Sequence, residues 1–233
     1  MKTYKKYIPI LIIIIISISS WGMGIHEYFS IETIKENEKI INSFIESNYI
    51  TSCLIFSITY IFIISVSIPG ATFMTVTGGL LFGQSAGTLI NVISATFGAT
   101  IFFLSARIAS KDLIKKAGNW VKKMQNGFHE NEFSYLLTLR LVPLFPFVAV
   151  NLVSAVVNIS IKTFVTATFI GIIPGTFVYT SIGVALKNLM GKDEIDFKII
   201  IEPSIILALF GLGLISLTPA LYKRIKNKTK KAD

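Results

Sequence analysis

The sequence predicts an all-α polytopic membrane protein with about four spanning helices and two opposed re-entrant hairpins arranged as an inverted repeat. Three observations carry this. The 233-residue chain is 52% hydrophobic and 15% charged, and its apolar segments recur from end to end, so residues 1–233 read as a single membrane domain. Two apolar runs are broken by proline and glycine, at Pro69-Gly70 and at Pro143 to Pro146. The charged segments between runs alternate in sign, and the cationic ones mark the cytoplasmic side.

A helical crossing needs about 20 apolar residues. Residues 7–22 supply a first spanning helix. Lys2, Lys5 and Lys6 precede it as in a signal peptide, but Ser17 to Gly24 lacks a convincing small-residue cleavage site, so the helix is expected to be retained. A first half-repeat occupies 25–106. It opens with residues 25–50, where five glutamates oppose two lysines. Ile34, Ile41, Phe44 and Ile45 recur there at helical spacing, predicting an amphipathic surface helix. Residues 51–83 are apolar but punctured, and 85–105 make a crossing. A second half-repeat occupies 107–187. It begins with a surface segment, 107–132, of six basic and three acidic residues. There Lys111, Lys115, Lys116, Lys122 and Lys123 alternate with Leu113, Ile114, Trp120 and Val121, as in a helix lying on an anionic membrane surface. The second broken run, 133–157, precedes a crossing at 161–186. A last spanning helix at 203–222 and a basic tail at 223–233 follow.

Positive-inside places the N-terminus, 107–132 and the tail in the cytoplasm, and the net acidic 25–50 and 187–202 outside. Two full crossings between 51 and 106 would put the basic 107–132 segment on the wrong side. The conflict disappears if 51–83 is a hairpin entering from outside with its tip at Pro69-Gly70. By the same reasoning 133–157 enters from the cytoplasm with its tip at Pro143 and Pro146. Non-helical backbone at membrane depth survives only when it is buried in protein or lines a wet cavity, and two opposed hairpins can supply such a cavity for each other. Pro69 to Gly98 and Pro146 to Gly175 both span 29 residues, which supports a repeat of the kind found in inverted-repeat transporters.

Arg140 is the residue that stands out. No acidic residue lies between Glu132 and Asp193 or between Glu46 and Asp112, so nothing in either broken run neutralises it. An unpaired buried cation is costly, and its guanidinium fork suits a bidentate grip on phosphate. The competing reading is a boundary arginine snorkelling to water. Arg107 ends its crossing and is read first as a boundary anchor. Asn151 and Asn158 are each expected to hydrogen-bond either freed backbone or a headgroup. Gly78, Gly79, Gly83, Gly87 and Gly98 allow close helix approach. Pro174-Gly175 is expected to break the last apolar run of the second half and leave a half-helix end facing the site.

Catalysis finds little support. The membrane runs hold no cysteine–histidine pair and no carboxylate dyad, so the chain is not expected to be an enzyme. With His26, His129 and Cys53 alone, a histidine–cysteine metal site is not expected, and no cofactor is called for. The net charge of +9 flanks hydrophobic runs, which points to lipid headgroups as partners rather than nucleic acid. A homo-oligomer is compatible with all of this.

Ile68-Pro69-Gly70, Gly78-Gly79-Leu80-Leu81-Phe82-Gly83, Gly98, Arg107, Arg140-Leu141-Val142-Pro143-Leu144-Phe145-Pro146-Phe147, Asn151 and Gly171 to Pro174 resemble the DedA superfamily. More closely they resemble its SNARE-associated, or VTT-domain, branch, over about residues 60–185. The resemblance implies two facing re-entrant hairpins and movement of lipids between leaflets: polyprenyl phosphates in bacteria, phospholipids in eukaryotes. Arg140 and Arg107 match the family's arginines and Pro143 and Pro146 its hairpin tip, and Arg140, Arg107 and Asn151 are the candidate substrate-binding residues. Where some branches carry an acid after the first Pro-Gly, this chain has Ala71 and Thr72, so proton coupling through that hairpin is not implied. Ser154 and Ala155 stand where a glycine often follows the family's asparagine. The expectation is a flippase or scramblase for a phosphate-bearing lipid in the cytoplasmic membrane, with both termini cytoplasmic. A small-solute or ion transporter using the same cavity, or a membrane-organising protein without transport activity, are the alternatives.

Overall fold

A computed structural model of the chain describes residues 37–68, 70–116, 131–142 and 145–189. The expected helices at 7–22 and 203–222, the tail, most of 187–202, Lys122 and Lys123, and the tip prolines Pro69 and Pro143 lie outside these residues. The described part is helical, without strands: α1 Glu38–Ser47, α2 Tyr49–Ser65, α3 Ala71–Phe82, α4 Gln84–Lys116, α5 Glu132–Leu141, α6 Phe147–Val156 and α7 Ile161–Leu189.

Two of these helices are long and apolar enough to cross a membrane, Gln84–Ser110 and Ile161–Asn188, matching the crossings expected at 85–105 and 161–186. A third candidate arises only if α1 and α2, bent by 114° at Asn48, count as one span. α1 covers the described part of the helix expected over 25–50: it buries Ile45, while Ile40 and Phe44 stay exposed, and residues 25–36, with Ile34, lie outside the described residues.

Each broken run is two helices folded back on each other. α2 ends at Ser65, and Ser67 (φ 56°) and Gly70 (φ 126°) turn the chain through left-handed backbone before α3 starts. Phe56 then meets Phe82 with ring centroids 5.3 Å apart, and Tyr60 meets Thr75 at 2.7 Å. Both pairs are near-equidistant from Ile68, as an antiparallel return requires. In the second run Val142 is extended, as the residue before a proline prefers. Pro146 then opens α6 with a φ of −57° that suits a helix start.

The long helices form the centre, and the short ones interlock around them. α2 packs on α4, and α5 packs on α7. The return helices also reach across the halves, with α3 on α7 and α6 on α4. The α3–α7 crossing is close. A Cβ placed on Gly79 would strike the backbone carbonyl of Thr180, and one on Gly183 would strike that of Val76. Between α4 and α7, Phe103 and Phe164 are fully buried and stacked, with centroids 4.2 Å apart and rings 14° from parallel.

Two expectations change. α4 does not stop where the basic segment begins; it continues from Arg107 to Lys116. No proline or glycine lies between Thr100 and Lys116 to stop it. α7 runs through Pro174 without ending, so no half-helix end forms there. A proline removes one backbone donor, and packing on both sides of it holds the remaining turns in register. The two glycines of the matched 29-residue spacing are packed differently. A Cβ on Gly98 would meet the Ile64 side chain at 2.6 Å and the Ile61 carbonyl at 2.8 Å on α2. A Cβ on Gly171 would likewise lie 2.5 Å from the Arg140 Cβ on α5, whereas one on Gly175 meets nothing within 4 Å.

The outer faces are apolar. Leu89, Ile93, Phe97, Ile101, Leu104 and Ile108 line one exposed face of α4 at three- and four-residue spacing. Such a stripe is far larger than a water-facing helix normally shows.

Candidate functional site: a cationic cavity between two helix breaks

Arg140 occupies the last turn of α5, one residue before the helix ends, so its side chain sits at the second break. Gly171 on α7 leaves room for its stem. The guanidinium is held on nearly every side. Its Nη2 donates to Asn151 Oδ1 on α6 at 2.6 Å and to Thr168 Oγ1 on α7 at 3.0 Å. Its Nε donates to the same threonine oxygen at 3.2 Å. Phe147 and Phe164 lie 4.6 Å and 5.3 Å from its central carbon. Desolvated cation–π contacts of this kind are worth up to about 2 kcal/mol. Only Nη1 is left: it is buried and has no hydrogen-bond partner among the described residues.

Arg140 borders a cavity of about 260 Å³ that both broken runs build. Tyr60, Ile64, Ala71, Thr72 and Thr75 come from the first run. Leu141, Phe145 and Phe147 come from the second, and α7 closes it with Ile172, Gly175, Thr176 and Tyr179. Phe145 is half exposed at its rim. Among the described lining residues Arg140 is the single charged one, and none is a carboxylate, histidine or cysteine. The arrangement can bind an anion.

The cavity's far wall is fixed by a polar chain. Tyr60 of α2 and Thr75 of α3 share a hydrogen bond, and Thr75 Oγ1 donates to the Ala71 carbonyl at 2.9 Å. Asn91 of α4, fully buried, donates from Nδ2 to the Thr75 carbonyl at 2.8 Å, tying α2, α3 and α4 together. A larger groove of about 420 Å³ lies between α1 and the first broken run, lined by Ile41, Phe44, Ile55, Phe56 and Leu81 among others. Its walls are apolar, so it suits an aliphatic chain and not a headgroup.

The residues singled out from the sequence separate here. Arg140 and Gly175 line the cavity. Asn151 is 1% exposed and does not line it; its role is to hold Arg140. Arg107 is also away from it, donating from Nη1 to the Ile159 carbonyl at 3.3 Å and lying 5.7 Å from the Phe103 ring. Asn158 takes a left-handed turn (φ 62°) between α6 and α7. Gly70 and Pro146 open the return helices, Gly83 (φ 77°) joins α3 to α4, Gly79 and Gly98 serve helix contact, and Pro174 lies within α7. The fork expected to grip phosphate bidentately is already engaged by Asn151 and Thr168. Thr168, Phe164, Tyr60, Thr75 and Asn91 carry no sequence signal of a site. The nearest hint is that Thr168 and Gly171 are three apart, hence on one face of α7.

A family model described as the VTT domain matches residues 68–185, spanning both breaks, Arg140 and most of α7. Among curated proteins, the chain is 30% identical over 190 residues to the Transmembrane protein 41 homolog of Dictyostelium discoideum, covering 79% of this chain and 55% of that one. It is 34% identical over 175 residues to an uncharacterized membrane protein of Arabidopsis thaliana, covering 71% and 58%. It is 25% identical over 196 residues to Transmembrane protein 41B of Mus musculus, covering 82% and 65%. The chain thus spans 55–65% of the length of these relatives. No solved structure matches significantly. With the match running through both helix breaks and the cavity between them, the chain belongs to the VTT-domain family, the SNARE-associated branch of the DedA superfamily.

Proposed function

We propose that this integral membrane protein translocates or scrambles a phosphate-bearing lipid between leaflets. The carrying observation is Arg140, a cation with no acidic partner among the described residues, lining a cavity framed by two helix breaks. A headgroup seated there supplies the missing counter-charge, while its acyl or prenyl chains remain in the bilayer along the apolar outer faces. Broken backbone at membrane depth is tolerated where it lines such a cavity.

In this reading the two fold-back pairs are re-entrant hairpins entering from opposite faces of the cytoplasmic membrane, with both termini cytoplasmic. The exchange of packing partners supports a two-fold relation. α2 on α4 answers α5 on α7, and α3 on α7 answers α6 on α4. The protein binds and releases its lipid without chemistry and without a cofactor.

The test is leaflet exchange of a labelled anionic lipid in liposomes containing the full chain. Exchange above protein-free vesicles, lost in Arg140→Ala, is the expected result. Equal activity of wild type and Arg140→Ala removes the proposed role of Arg140. Absence of exchange for any lipid, with solute flux intact, moves the cavity to a small-solute carrier.

A further inference from the structure

We propose, resting on the transport reading above, that Pro174-Gly175 is a joint. About it α7 bends, two bodies of the protein rock against each other, and the Arg140 cavity between them widens and narrows.

Packing divides the described helices into two bodies. In the first, α2 and α3 are tied to each other and to the start of α4. Tyr60 and Thr75 share a hydrogen bond, Asn91 Nδ2 donates to the Thr75 carbonyl, and Ile64 presses on Gly98. The C-terminal half of α7 belongs to this body. Thr180 lies against Gly79 and Gly183 against Val76, Leu186 packs with Leu80, and Gln84 Nε2 donates to the Phe177 carbonyl at 3.0 Å. The second body holds α5, α6 and the N-terminal half of α7. Arg140 donates to Thr168 and Asn151, its stem lies on Gly171, and the Ser160 backbone N–H donates to Glu132 Oε2 at 3.1 Å. The later part of α4 joins this second body, where Phe103 stacks on Phe164 and Arg107 donates to the Ile159 carbonyl. Among the described residues α2 and α3 make no extended packing contact with α5 or α6. The two bodies are therefore held together by α4 and α7.

These two helices differ where they pass from one body to the other. α4 passes between Gly98 and Phe103, with no proline in its 33 residues, and such a helix curves only gently. α7 passes between Gly171 and Thr180, and Pro174 stands in that stretch. A proline there gives no N–H to the Ile170 carbonyl and its ring crowds that carbonyl, which is where sharp helix bends arise. Gly175 follows, with nothing within 4 Å of where a Cβ would sit, so a bend at this point meets no neighbour.

The joint borders the cavity. Ile172 lines it from one side of Pro174, and Gly175, Thr176 and Tyr179 line it from the other. Arg140 and Phe147 move with the second body, and Tyr60 and Thr75 with the first. A bend at Pro174 changes the width between them and leaves the Arg140–Asn151, Arg140–Thr168 and Tyr60–Thr75 hydrogen bonds intact, because each lies inside one body.

The experiment places spin labels on cysteines at Thr166 and Lys187, exposed positions on either side of Pro174, in the full chain with Cys53→Ser, reconstituted in liposomes. The chain with Pro174 is expected to show a broader range of label-to-label distances than Pro174→Ala, whose restored N–H keeps α7 straight. Leaflet exchange of labelled phosphatidylglycerol by the unlabelled proteins is expected to fall severalfold in Pro174→Ala. The thermal midpoint in detergent is expected to hold or rise, since alanine suits a helix interior better than proline. Identical distance ranges overturn the joint and leave lipid transport standing. A lowered midpoint in Pro174→Ala makes the proline a packing residue and also overturns the joint. A narrowed range with unchanged exchange overturns its part in transport. Exchange absent from the wild type, with the two ranges still different, overturns the transport reading and upholds the bend at Pro174.

Discussion

Replacing Arg140 with lysine keeps the charge and loses the fork. A lysine ammonium has no planar face to stack on Phe147 and cannot bridge Asn151 and Thr168 in the same geometry. Arg140→Lys is therefore expected to behave like Arg140→Ala in leaflet exchange, with activity down at least about tenfold. Wild-type activity in the lysine variant refutes the cradle described here. Asn151→Leu removes the acceptor for Nη2 and leaves a buried donor unpaired, at a cost of about 1–3 kcal/mol. The expected outcome is a lower unfolding midpoint in detergent together with reduced exchange, and an unchanged midpoint refutes the buried bond. At this scale the sequence exposed Arg140, because a lone cation in an acid-free apolar run is conspicuous. It could not expose Thr168, since a threonine in an apolar helix looks like any packing residue until α5 is laid against α7. Nor could it show that Asn151 faces Arg140 rather than the cavity, because its orientation follows from the fold-back around Pro146.

At the scale of elements, the interface between α3 and α7 has no room for side chains at its crossing. Gly79→Leu and Gly183→Leu each force a side chain into opposing backbone, where overpacking costs about 1–3 kcal/mol or more. Both are expected to lower the thermal midpoint in detergent. Gly175→Ala, with open space at its Cβ, is expected to leave the midpoint unchanged. A lowered midpoint for Gly175→Ala, or none for Gly183→Leu, refutes this assignment of packing roles. Helix existence and breaks were legible along the chain: apolar length gave α4 and α7, and proline with glycine gave the two breaks. Helix ends and glycine contacts were not. α4 carries on past Arg107 because helix propensity does not change where hydrophobicity does. Gly98 is pressed by α2 and Gly171 by α5, contacts that a count along the sequence does not reveal.

For the whole molecule, the sign of the charged segments predicts which ends lie on which side. Asn48, Lys162 and Asn188 are exposed at helix ends. Single cysteines there, in a Cys53→Ser background, are expected to label with an impermeant reagent from outside at 48 and 188 and from the cytoplasm at 162. Labelling of 48 and 162 from the same side refutes the opposed-hairpin topology. The sequence by itself determined the membrane setting, the two breaks, the charge asymmetry and the presence of an uncompensated arginine, because each is a property of composition and local spacing. The tertiary structure alone decided that Tyr60 and Thr75 line one cavity with Arg140, that Asn151 and Thr168 occupy its fork, and that Arg107 stands elsewhere. Those facts join residues tens of positions apart, and they follow from how short helices of one half pack on the long helix of the other, which no local pattern encodes.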